Sequence, residues 1–297
     1  MFTCCHPALS RDAQLALTLR TVVGFTTRQI ASAFLTSEAT VAQRIVRAKR
    51  KIVEAGIPYR MPAPADLDQR LGEVLAVLYL MFNEGYLSSS WEIPHDRNLA
   101  EDATWLARLV VRVLPRQAEA MGLLALFRLQ LARVGGRFDQ TGALIRLADQ
   151  DRSLWDRAEI ASAVELLDRA VLLRQPGPYQ LQAAIAGCHA EAASWEGTDW
   201  PMILRLYDRL LDLDPSPVIK LNRAVATWRA VSAGAALVEV EQLATSLNEY
   251  HLLHSTRAEL QRELGQEAEA QRSFQRALDL TLNPAERSHL RGRMATA

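Results

Sequence analysis

Two helix-forming stretches separated by two residues constrain this chain more than any other feature. The first opens at Thr26, with Gln29 three positions on to complete a capping-box pattern, and then places Ile30, Ala31 and Phe34 on one face. After Leu35-Thr36, Ser37 offers a second N-cap and a run to Ile52 follows. At helical period Val41, Ile45, Ala48 and Ile52 form an apolar stripe, while Thr40, Gln43, Arg44, Arg47 and Lys51 fall on the opposite side. A short helix, a tight turn and a longer basic helix make a helix-turn-helix, whose second helix enters the major groove of DNA. The small Ala31 suits a close crossing of the two helices. Arg pairs bidentately with guanine, Gln with adenine, and both Lys and Arg with phosphates. Thr40, Gln43, Arg44, Arg47 and Lys51 are therefore the candidate DNA-binding residues. A basic amphipathic helix can also be no more than a solvated face; the capping pattern and the short turn favour binding.

Charge supports this placement. The 297 residues carry no formal net charge, yet residues 1–60 hold nine Lys/Arg against three Asp/Glu, and the rest 25 against 31. A basic head on an acidic body points to a polyanionic partner for the head alone. Only Lys49, Lys51 and Lys220 are lysine, and two of them lie on the basic helix. No run approaches the 18 or so apolar residues of a membrane span, and no charged stretch precedes the apolar first residues as in a signal peptide. Three cysteines make no disulfide framework, so the chain is read as cytoplasmic, with no membrane partner.

Along the chain, Ser10 is positioned to cap a first helix carrying Ala13, Leu15, Ala16, Leu19 and Val22 toward the core, stopped by Gly24. Three prolines between Pro58 and Pro64 predict a stiff linker and a domain boundary at 58–65. Helices are expected from Asp66 to about Phe82, from Arg97 to Leu114, from Pro115 to the Gly135-Gly136 stop, from Leu154 to Leu173 and from Tyr179 to Ser194. Residues 143–147 read as a short strand or a helical turn. From Thr198 the pattern becomes repetitive. Helices are expected from there to Leu211, over Pro217–Arg229 and Ala235–Leu247, and over Glu249–Leu264 and Gln266–Leu280. Pro215 and Pro284 lie 69 residues apart, about two repeats of the roughly 34-residue tetratricopeptide unit, and Gly265, Ala268, Phe274 and Ala277 occupy its small and aromatic positions. Stacked helix pairs of this kind form an α-solenoid. The expectation is an all-α chain: a helix-turn-helix domain at 1–57, a linker at 58–65, a helical middle part at 66–195 and tetratricopeptide-like repeats at 196–297.

Nothing in the residues argues for an enzyme. There is no Gly-rich phosphate loop, no G-x-S-x-G and no H-E-x-x-H. Cys4-Cys5-His6 lacks the C-x₂-C spacing of a zinc site, and buried thiols beside a helix start are the simpler reading. Asn83, Glu84, Glu92, His95, Glu101 and Asp102 form a polar cluster, read as helix capping and loop satisfaction in preference to acid–base chemistry. No cofactor and no metal are expected.

The helix-turn-helix, with Ile30-Ala31, Thr40-Val41, Arg44 and Arg47-Ala48, resembles region 4 of a bacterial sigma factor. Phe2-Thr-Cys-Cys-His-Pro-Ala-Leu9, Tyr79-Leu-Met-Phe-Asn-Glu-Gly-Tyr86, Gln180-Leu-Gln-Ala-Ala-Ile185, Thr198-Asp-Trp200, Pro215-Ser-Pro-Val218 and Leu221-Asn-Arg-Ala224 extend the likeness. Jointly they are similar to the extracytoplasmic-function sigma factors that carry a C-terminal tetratricopeptide-like extension. The resemblance implies a transcription initiation factor whose region 4 reads the upstream promoter element in duplex DNA and sits on the RNA polymerase core. It also implies a regulatory extension open to a protein partner. An alternative is a repeat scaffold with a DNA-tethering helix-turn-helix and no initiation activity.

Two departures carry expectations. Leu35 stands where region 4 usually has Gly, and Thr36 where an apolar residue is common, so the turn is expected to be built differently. Such factors also place region 2, which opens the promoter, ahead of region 4, whereas nine residues precede the first helix here. A start at an internal methionine or a deletion would both give this. The chain is therefore expected to bind duplex DNA or the polymerase weakly and not to initiate transcription by itself.

Overall fold

The computed structural model describes residues 1–57, 64–86, 97–140 and 144–295. Most of the expected linker (58–63), together with Glu92, His95 and Ala143, lies outside the described residues. Among the described residues are fourteen α-helices and no strand beyond an isolated bridge between Phe138 and Leu144. The chain is all-α, and it divides into two compact units, Met1–Val110 and Val111–Ala297.

The first unit holds α1 (Arg11–Thr18), which continues as a π-helical turn over Leu19–Val23, then α2 (Thr27–Ala33), α3 (Glu38–Glu54) and α4 (Pro64–Tyr86). Gly24, at φ 89°, ends the π turn in the left-handed region that glycine adopts without cost. Ser10 occupies the N-cap position of α1, but its side chain makes no capping bond. The core joins Leu15, Leu19, Phe25, Ile30, Val41, Ile45 and Ala48 to Ala76 and Val77 of α4. Two polar bonds reinforce that join: Arg70 Nη1 donates to the Phe2 carbonyl at 3.0 Å, and Gln29 Nε2 donates to Glu84 Oε1 at 3.1 Å. Compactness therefore divides the chain at 110/111, whereas the prolines place the division at 58–65. The reason is that α4 is apolar on a face that the helix-turn-helix needs for its own core.

The division at 110/111 falls in the last turn of α5 (Arg97–Val113), and the first whole helix of the second unit is α6 (Ala118–Leu131), whose residues are buried nearly all round. A helix apolar on every face sits at the centre of its unit, and α6 packs on both α7 (Arg157–Leu172) and α8 (Pro178–Glu191). Its expected start at Pro115 shifts to Ala118, and the expected start of α7 at Leu154 shifts to Arg157, because Asp156 takes the N-cap and accepts the Glu159 N–H at 2.9 Å. Then follow α9 (Trp200–Leu213), α10 (Pro217–Ala230), α11 (Ala233–Glu241), α12 (His251–Glu263), α13 (Glu267–Leu280) and α14 (Pro284–Ala295). From α8 to α14 each helix packs on the next in sequence. Pro284 is the first residue of α14, with Asn283 Oδ1 accepting the Ala285 and Glu286 N–H groups as its cap.

Candidate nucleic-acid interface

The helix-turn-helix is built by local hydrogen bonds at each of its corners. Thr26 Oγ1 accepts the Gln29 N–H at 3.2 Å and Gln29 Oε1 accepts the Thr26 N–H at 2.9 Å, a complete capping box that starts α2. At the end of α2, Leu35 N–H donates to the Ser32 carbonyl at 3.2 Å and Thr36 N–H to the Ala31 carbonyl at 3.0 Å. These are the two bonds of a Schellman motif, and they require a left-handed residue between them. Gly56 and Gly265 serve the same motif after α3 and α12. Leu35 takes that place here, at φ 49°. The turn expected to be built differently thus keeps the usual left-handed geometry with a leucine in it. Ser37 Oγ then accepts the Thr40 N–H at 3.2 Å and starts α3.

Once α3 is fixed by both caps, its faces follow from the period. Val41, Ile45 and Ala48 are buried and Ile52 half-buried, with Val41 and Ile45 each contributing roughly 1.5–3 kcal/mol. Thr40, Gln43, Arg47 and Lys51 are exposed. Arg44 differs from the other four: it is half-buried, its Nη2 lies 3.1 Å from Asp12 Oδ2 of α1, and its guanidinium sits 5.7 Å from the centre of the Phe34 ring. One turn of α3 is thereby held to α1 and to the end of α2. The sequence reading missed this pairing, because Asp12 and Arg44 are 32 positions apart with no spacing rule to join them. What remains on the surface is a patch of one amide, one hydroxyl and two cations on a rigid helix, able to donate to base edges and phosphates.

Cys4 and Cys5 are buried, with Cys5 Sγ 3.7 Å from Thr18 Oγ1, and burial pushes the Cys5 thiol up to about 11, which disfavours the thiolate. Among the described residues no three His, Cys, Asp or Glu side chains are grouped to hold a metal ion. Of the polar cluster, Asn83, Glu101 and Asp102 are exposed, and Glu84 is buried with its carboxylate on Gln29.

Comparison with known proteins agrees with this geometry. Residues 1–52 match the family described as sigma-70, region 4, and residues 70–171 match a family of unknown function (DUF6596). The chain is 45% identical over 291 residues to the uncharacterized protein R00370 of Rhizobium meliloti (strain 1021), an alignment covering 98% of this chain and 69% of that protein. No solved structure matches. Among the described residues no helix is long and apolar enough to cross a membrane. A region 4 domain gives the chain a sigma-factor-like, DNA-binding role and points to a transcription factor rather than an enzyme. The chain belongs to one family with the rhizobial protein and carries a sigma-70 region 4 domain over its first 52 residues.

Proposed function

We propose that the protein acts in the cytoplasm as an extracytoplasmic-function type sigma factor, with α3 reading the upstream promoter element while the first unit rests on the RNA polymerase core. The observation that carries this reading is the exposed face of α3, where Thr40, Gln43, Arg47 and Lys51 stand free of the core on a helix capped at both ends of its turn. In this reading Gln43 and Arg47 contact base edges, Lys51 and Thr40 contact phosphates, and Arg44 sets the angle of α3 through Asp12 before it reaches DNA. The second unit is a tetratricopeptide-like regulatory extension open to a protein partner. Support comes from α12 and α13, joined at Gly265, which bury Ala258, Phe274, Ala277 and Leu278 in one cluster with Leu290 of α14.

Selection of random duplexes by the purified chain tests this. A consensus of a few base pairs is expected, and Gln43→Ala should relax one position of it by about 1–3 kcal/mol of discrimination. Recovery of no consensus, alone or with core polymerase added, would contradict the reading.

A further inference from the structure

Trp155, in the second unit, is surrounded by positive charge. The guanidinium carbons of Arg152, Arg133 and Arg157 lie 4.8, 5.7 and 5.9 Å from the centre of its ring. Part of this charge has an evident structural use. Arg152 Nη1 donates to the carbonyls of His189 and Ala192 at 2.8 and 2.6 Å, and Arg157 Nη1 to that of Ala190 at 3.0 Å, so both guanidiniums sit at the C-terminal end of α8. A helix C-terminus supplies only about half a negative charge. Two arginines bond to that half charge and Arg133 stands beside them over the same ring, while the carboxylate acting on Arg152, Glu196, is exposed.

The hydrogen bonds are as incomplete as the charge. Arg133 and Arg152 are 9% and 8% exposed. Arg133 Nε, Arg152 Nη2, Trp155 Nε1 and His189 Nδ1 are all buried without a hydrogen-bond partner. Each such group has given up water without a hydrogen bond in return. Three of them, on Arg133, Arg152 and Trp155 itself, are N–H donors grouped at one indole, a set that an acceptor-rich anion would complete. Gly136 keeps a side chain off this edge of the indole: a Cβ there would crowd Trp155 Nε1 and the Asp151 carbonyl oxygen, each at 3.1 Å.

We propose that this cluster binds a small oxyanion, the phosphate or carboxylate group of a soluble ligand, beside the Trp155 indole N–H and between Arg133 and Arg152. The site links the 3₁₀ turns at Val134–Gly136 and Arg152–Leu154 to the end of α8, so an occupied site ties three segments of the second unit together. It stands independently of the DNA reading.

The test uses the full chain, ¹⁵N-labelled, with the Trp155 indole resonance assigned by its loss in Trp155→Phe. Inorganic phosphate and acetate are titrated in parallel against sodium chloride at matched ionic strength. Phosphate, acetate or both should shift that resonance saturably and raise Tm beyond the chloride control, and the stronger arm names the group the site takes. Gly136→Ala, which keeps every arginine and fills the space beside Nε1, should abolish both responses, and Arg133→Met should weaken them several-fold. An indole resonance that moves no more than in chloride overturns the proposal. So do responses of full size in Gly136→Ala, a variant that keeps the test valid even if Arg133→Met fails to fold.

Discussion

Gln29 Nε2 donates to the buried carboxylate of Glu84 at 3.1 Å while Gln29 Oε1 caps the start of α2. One side chain thus begins the helix-turn-helix and fastens it to α4, which follows the proline-rich stretch. Replacing Gln29 by Ala removes half a capping box, worth about 0.5–2 kcal/mol, and one hydrogen bond to the Glu84 carboxylate, worth about 1.5–3 kcal/mol more. Thr26→Ala loses only the cap. Urea unfolding of the first unit should therefore rank Gln29→Ala as the more damaging change, and equal losses would show that the Glu84 contact contributes nothing.

The same join fixes where the chain can be cut. A fragment of residues 1–57 lacks Ala76, Val77 and Arg70 and leaves its core open on one side, whereas residues 1–110 contain the whole compact unit. Calorimetry should show a cooperative transition for 1–110 and a broad or absent one for 1–57. A cut at residue 66 would divide one core between two fragments. Equal cooperativity in 1–57 and 1–110 would restore the boundary at the prolines.

Leu35 carries left-handed backbone at φ 49° and is 56% exposed. An L-residue pays about 1–2 kcal/mol there, and Gly loses about 0.5–1 kcal/mol to its greater freedom when unfolded. Leu35→Gly should leave stability unchanged or raise it by up to about 1.5 kcal/mol, and Leu35→Val should lower it. A loss above about 1 kcal/mol in Leu35→Gly would mean that the side chain packs more than its exposure indicates.

In the second unit, Glu119 accepts the backbone N–H groups of Tyr179 and Gln180 at 3.0 and 3.1 Å, so a carboxylate of α6 sits on the N-terminus of α8. Two glycines make room for it. A Cβ at Gly177 would lie 2.2 Å from the Glu119 carboxyl carbon, and one at Gly122 would lie 2.7 Å from the Gln180 backbone nitrogen. Gly122→Ala has backbone in its way and should cost about 1–3 kcal/mol in denaturant unfolding. A neutral effect would show that the two helices separate without cost.

Burial, with Arg133 and Arg152 nearby, brings the His189 imidazole down to about 4. Between pH 6.5 and 4 the unfolded chain holds a proton that the folded chain does not, so stability falls as pH drops through that window. The loss from this one group is on the order of 3 kcal/mol at most. His254 and His289 are lowered by burial too, so His189→Gln should flatten the pH dependence of Tm only in part. An unchanged slope would place His189 in solvent.

The helix-turn-helix was legible because its information is local: the Thr26–Gln29 box, the Ser37 cap and the Val41/Ile45/Ala48 stripe each lie within a few residues. Thr40, Gln43, Arg47 and Lys51 came out on one exposed face for the same reason. The left-handed state of Leu35 is imposed by the two bonds that end α2, against its own preference, so composition hid it. The use of α4 by the first core was hidden by prolines that resemble a boundary. Arg44 with Asp12, and the arginines around Trp155, are brought together only by tertiary packing, and no spacing in the sequence announces them.

The most direct measurement is duplex DNA binding by the full chain, followed by fluorescence anisotropy across a range of salt concentrations. Wild type is compared with Arg47→Ala/Lys51→Ala and with a charge-matched control on α9, Arg205→Ala/Arg209→Ala, whose arginines are also exposed. Each phosphate contact contributes about 0.9 to the slope of log K against log salt. The expected result is weaker binding by the α3 variant, with a slope shallower by about 0.9 for each of the two cations that neutralises a phosphate, and no change in the control. Wild-type affinity and slope in the α3 variant, or an equal loss in the control, would contradict the assignment of DNA contact to this face.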